Sequence, residues 1–244
     1  MIKLMYSQWL RTKRMPIRIF FLICPIAFTL IFCSYLLVGN GLKGVEVFSF
    51  FGLFIIVATF AISFFVPMLY DADKDACYYA NELRVGVDRK LIFLSKFFLM
   101  LLFVLIIEII AISLFITFLM IFSSVHISLT PFLIYFLLIN VSLCPMIVCY
   151  QFITLKYNYT GSILIGCFTT LASILLGTTD LGMIIWKYLP FVWSIKLVLD
   201  YGKGQIGTDV IILYSSLSIL LTLVLLFVTT QWYNKWAGIN YLEE

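Results

Sequence analysis

Charge is scarce in this chain. Only 11% of its 244 residues are Asp, Glu, Lys or Arg, against 64% apolar, whereas soluble domains carry about 25% charged residues. With a mean hydropathy of +1.13, this composition excludes a water-soluble globular domain. Histidine is nearly missing: His126 stands alone, in a segment that reads as a solvated loop. The six cysteines, at 24, 33, 77, 144, 149 and 167, are scattered, five of them in or beside apolar runs. They read as small core residues rather than a disulfide framework. Cys144 and Cys149 do not converge on a metal, because five residues turn a helix by roughly 140°. No metal site is expected. A phosphate-binding loop is lacking too, since neither glycine-rich stretch, 39–44 or 202–208, leads through Gly-Lys-Ser/Thr into a helix. Any ATP and magnesium used by this protein must therefore be bound by another chain. The basic residues sit beside apolar runs rather than in one patch, which argues against nucleic acid.

Long apolar runs fill the rest. A helix needs about 20 apolar residues to cross a hydrocarbon core of about 30 Å, and the runs are continuous, without the alternation of barrel strands. The fold class expected is an all-α integral membrane protein, one transmembrane domain over 1–244, with six spans at 19–38, 47–69, 97–122, 131–153, 161–178 and 210–230. Residues 1–16 form an amphipathic helix ending at Pro16, with Ile2, Met5, Tyr6, Trp9 and Leu10 on one side and Lys3, Ser7, Arg11, Arg14 and Arg18 on the other. Such a helix lies in the headgroup plane of an anionic leaflet. No small-x-small cleavage site follows the first run, so that run is expected to be kept. Residues 180–209 include an apolar run, 183–199, interrupted by Lys187, Pro190 and Lys196. An outer re-entrant hairpin tolerates this better than a crossing helix does.

Between the second and third spans lies an island of charge. Residues 70–96 hold 10 of the 28 charged residues, so this stretch must lie in water. Asp88 can cap a helix that starts there and continues into the membrane. With six spans, 12 basic residues fall on the side of this island and four on the other. The excess places the island and both termini in the cytoplasm. Trp9, Trp232 and Trp236 would then mark the inner interface, and Trp186 and Trp193 the outer one.

Glu108 is the one carboxylate in the middle of a span. An ionisable side chain at that depth costs a few kcal/mol and faces the protein interior. Two roles are open: a substrate path that attracts a cationic ligand, or a hydrogen bond to Asn140 of the fourth span that holds two helices together.

The order of these features (interfacial helix, two spans, charged cytoplasmic loop, three spans, outer hairpin, last span) resembles the ABC-2 type permeases, the membrane subunits of a class of ABC exporters, over essentially the whole chain. In that family the loop between spans two and three carries a coupling helix that docks on the ATPase. The matching residues are Asp71, Asp73, Lys74, Asp75, Glu82, Arg84, Gly86, Asp88 and Arg89, with Ser95-Lys96 leading into the third span. The Arg11-Thr12-Lys13-Arg14-Met15-Pro16 stretch and the Phe-Val-Pro-Met-Leu-Tyr-Asp end of the second span look like the permeases of lantibiotic self-immunity transporters. The resemblance implies a multi-pass subunit of the bacterial plasma membrane, without enzymatic activity or cofactor of its own. Its partners would be cytoplasmic ABC ATPase subunits, a second permease chain (different or identical), and a cationic peptide substrate. The alternatives are an ABC-2 exporter of a drug, lipid or polysaccharide, a non-transporting membrane anchor, and an intramembrane enzyme.

Overall fold

The computed structural model describes residues 2–39, 42, 44–75, 79, 86–122 and 129–236. Every regular element among them is helical. Helix α1 (Ile2–Arg11) ends in a single 3-10 turn, Thr12–Arg14, and is followed by α2 (Ile17–Val38), α3 (Glu46–Asp75), α4 (Arg89–Phe122) and α5 (Leu129–Thr178). Two short 3-10 turns, Asp180–Gly182 and Ile185–Tyr188, lead to α6 (Pro190–Gly202), and α7 (Thr208–Lys235) closes the fold. Helices α2, α3, α4, α5 and α7 are long and apolar enough to cross a membrane.

Two of the expected spans, 131–153 and 161–178, fall in the single element α5. Its 50 residues would reach roughly 75 Å as one straight helix, far beyond a bilayer core. Instead it breaks at Asn158, whose φ of 59° and ψ of −169° lie in backbone territory that is essentially reserved for glycine. The polar connection expected over 156–160 is thus compressed into one strained residue. The turn is tight: a Cβ on Gly161 would stand 2.4 Å from the Cβ of Tyr157. Such strain costs about 1–3 kcal/mol. Asn158→Gly is therefore expected to raise the melting temperature of the purified chain and Asn158→Val to lower it; equal melting of all three would show that no strain is held there.

Helix α5 is the hub. Helices α3, α6, α7 and part of α4 pack on it, while α1 and α2 lean on α4. Aromatic pairs fill these seams: Phe50 stacks on Phe115 with ring centroids 4.1 Å apart, and Phe21 on Phe103 at 4.0 Å. Helix α7 lies at the rim, with only 11% of its apolar window buried. The α3–α5 seam has a specific cause. Pro67 has no N–H to give, so the carbonyl of Ser63, four residues earlier, loses its partner within the helix. The Ser162 hydroxyl of α5 donates to that carbonyl at 2.9 Å. A neighbouring helix replaces the lost bond, as hydrocarbon requires.

Helix α1 leaves Ile2, Tyr6 and Leu10 exposed, while Gln8 and, in the following turn, Thr12 are buried, and the helix packs on α4. Trp186 and Trp193 are packed inside the protein. Each is only 7% exposed, and both pack on Tyr214, at 4.8 and 5.4 Å. The Trp193 Nε1–H donates to the Trp186 carbonyl at 3.0 Å, which satisfies a buried indole within the protein.

That knot belongs to a segment folded back along α5. Gly182 sits on the Leu176 carbonyl, so closely that a Cβ would lie 1.8 Å from it. The Ser173 hydroxyl donates to the Phe191 carbonyl at 2.9 Å. Farther on, Gly202 meets the ring of Phe48 and Leu199 meets Gly52. Helix α6, of 13 residues, therefore runs beside the last turns of α5 and ends on the first turns of α3.

Candidate functional site

At the opposite end of the bundle, the charged residues are organised around one carboxylate. Helix α3 does not stop where the apolar run ends; it continues six residues into the island, to Asp75. This carries Asp73 inward. Arg11 Nη1 donates to Asp73 Oδ1 at 2.8 Å, and Lys96 Nζ lies 2.8 Å from Asp73 Oδ2. Lys96 is fully buried and its ammonium also rests over the Tyr70 ring, 4.1 Å from the centroid. A buried ammonium is tolerated only when paired, and the aromatic face adds a second attraction. The Asp73 carbonyl accepts the Tyr79 N–H at 2.9 Å. One side chain thus joins α1, the end of α3 and the start of α4.

The surrounding contacts fix the same end. Arg18 lies over the Trp9 ring at 4.5 Å and donates to Thr12 Oγ1 at 3.0 Å and to the Trp9 carbonyl, which locks the turn after α1. Asp88 Oδ1 accepts the Lys90 amide at 3.1 Å, so the cap expected at the head of α4 is in place. Arg89 Nη1 donates to the Trp236 carbonyl at 2.7 Å. Trp236 in turn meets Tyr79 and Tyr233, at 5.3 and 5.6 Å. The head of α4 is thereby tied to the end of α7, and α1 and the end of α7 share one end of the bundle.

Among the nine residues matched to the coupling loop, the structure separates inward from outward ones. Asp73 is held inside, its side chain only 10% exposed, and Arg89 is engaged with Trp236. Asp88 and Gly86 are exposed, and Asp71 and Lys74 are half-buried. Gly86 has a φ of +74°, which suits its residue type. Asp75 ends α3, and Glu82 and Arg84 lie outside the described residues, as does His126.

Comparison with family models, curated proteins and solved structures finds no match. The reading therefore rests on the residues themselves.

The second cluster lies midway along α4. Asn140 Nδ2 donates to Glu108 Oε2 and to the Phe136 carbonyl at 2.8 Å. The helix-to-helix hydrogen bond anticipated between Glu108 and Asn140 is thus present. It leaves two buried acceptors, Glu108 Oε1 and Asn140 Oδ1, without a hydrogen bond among the described residues. Among those same residues no three His, Cys, Asp or Glu side chains are grouped for a metal.

Sequence reading missed two things here. It did not pair Asp73 with Arg11 and Lys96, although Lys96 could have been suspected from the phenylalanines and leucines around it. It also passed over Gln151, a fully buried amide with neither end hydrogen-bonded among the described residues. A glutamine within an otherwise apolar run was the available signal.

Proposed function

We propose that this chain is the permease subunit of an ABC-2 type exporter in a bacterial plasma membrane, worked by a separate cytoplasmic ATPase. Its cargo in this reading is a cationic, lantibiotic-type peptide expelled from the membrane, which gives the producing cell immunity. The observation that carries the proposal is the Arg11–Asp73–Lys96 node. A protein moved by a partner needs its grip joined rigidly to its spans, and this carboxylate joins α3 and α4 to the α1 helix where charge is concentrated. The break at Asn158 supports counting α5 as two crossings, 129–157 and 159–178, which makes six in all. The path of 180–202 beside the end of α5 supports an outer hairpin that does not cross. With six crossings, the 12-to-four division of basic residues favours cytoplasmic termini. In this reading the ATPase meets the outward residues, Asp71, Lys74 and Asp88, while Asp73 transmits the push.

Affinity purification of the chain, co-expressed with its neighbouring gene products, tests this. An ABC ATPase should co-purify, its turnover should rise with a cationic membrane peptide, and Asp71→Asn with Asp88→Asn should weaken the association at least tenfold. A functional chain that holds no ATPase would overturn the proposal.

A further inference from the structure

We propose that Glu108 and Asn140 form a binding site for the ammonium head of a primary-amine amphiphile that enters from the bilayer along the seam between α4 and α5. The pair is short of donors. Both N–H groups of the Asn140 amide are spent, on Glu108 Oε2 and on the Phe136 carbonyl. Glu108 Oε1 and Asn140 Oδ1 accept nothing among the described residues, and Glu108 is fully buried. Buried acceptors left bare are costly in a low dielectric, and a primary ammonium brings three donors with its charge.

Among the described residues no Lys or Arg pairs with Glu108. No Lys or Arg occurs between residues 97 and 155, and in the other long helices Arg18, Lys74 and Lys235 stand near the ends. A cationic partner for the carboxyl would come from outside the described residues.

A groove lies within one helical turn of the pair. It has a volume of about 350 Å³ and lies between Ile109, Ile112 and Ile116 of α4 and Phe132, Leu133 and Phe136 of α5. Its walls suit an alkyl tail. Phe136 links groove and pair, lining the first and holding Asn140 through its carbonyl. Ile109 and Ile112 follow Glu108 by one residue and by one turn. An apolar groove whose Ile112 and Phe136 stand one helical turn from Glu108 and Asn140 fits a ligand with an apolar body and a donor-rich cationic head.

This deepens the export reading and rests on it for a purpose, but the binding test needs no ATPase, so the two can fail separately. The purified full-length chain in nanodiscs is irradiated with dodecylamine carrying a diazirine in mid-chain, and adducts are located by peptide mass mapping. Labelling is expected between residues 109 and 136. Plain dodecylamine should compete at a concentration at least tenfold lower than dodecyltrimethylammonium, which has the charge but no N–H, or dodecanol. Glu108→Gln should cut labelling at least tenfold. Should that variant not remain monodisperse, Ile112→Trp, which fills the groove and leaves the pair intact, should cut labelling to the same degree. Equal competition by the quaternary compound, or undiminished labelling in a well-behaved variant, would overturn the site and leave Glu108 a helix-pairing group.

Discussion

Asp73→Ala is expected to destabilise the chain by about 3–5 kcal/mol, the usual cost of removing one partner from a buried ion pair. The loss does not come mainly from the missing attraction to Arg11. That side chain is 45% exposed and can return to water, so Arg11→Ala should cost only about 1 kcal/mol. The damage falls on Lys96, which is fully buried and loses the carboxylate oxygen 2.8 Å from its ammonium. The argument makes a sharper demand on the double variant. Asp73→Leu with Lys96→Met removes both charges and keeps apolar volume, and such replacements are often neutral or stabilising. It should recover most of the stability lost in Asp73→Ala, as read from unfolding of the purified chain in detergent. If Asp73→Ala instead melts like the parent while ATPase association is lost, Asp73 faces a partner and the inward reading of the node is wrong.

The contrast between Asp73 and its neighbours shows what a sequence of this kind conveys. The long helices were legible because hydrocarbon selects composition directly: residues 19–38, 47–69, 97–122 and 210–230 lie inside α2, α3, α4 and α7. Which charges of the island point inward was not legible. Asp73 is held by Arg11 and Lys96, 62 and 23 positions away in the chain, and no local pattern announces that meeting. The faces of α1 were obscured in a related way. A polar–apolar pattern does not say which residues a neighbouring helix covers: Ile2, Tyr6 and Leu10 are exposed, and Gln8 and Thr12 are buried. Nor did it show that Trp186 and Trp193 pack on Tyr214 within a fold-back segment. Glu108 and Asn140 were easier, since two strongly polar side chains in adjacent apolar spans have few other places to go.

Gly166→Ala should cost about 1–3 kcal/mol, the range for overpacking a filled seam, although alanine is ordinarily the better helix former. The added Cβ would lie 2.0 Å from Ser63 Oγ and 2.2 Å from Ser63 Cβ. Turning the serine rotamer moves the first atom but not the second, so α3 and α5 must separate. Separation also strains the Ser162 hydroxyl from the Ser63 carbonyl that Pro67 leaves without a helical partner, exposing a backbone acceptor where lipid supplies no donor. A compensating change distinguishes this from a general intolerance of the position. Ser63→Gly removes both clashing atoms and leaves the new Cβ 3.7 Å from the Ser63 Cα, an ordinary contact, so the double variant should melt above Gly166→Ala alone. Failure of that rescue would mean that the close approach at Ser63 is not what limits residue 166. Asp73 stands ten residues beyond Ser63 on the same helix, about 15 Å away at the rise of an α-helix. A wedge at Gly166 therefore tilts the element that carries the ionic node, and the same variant should loosen the grip of α1 on α3 without touching a charged residue.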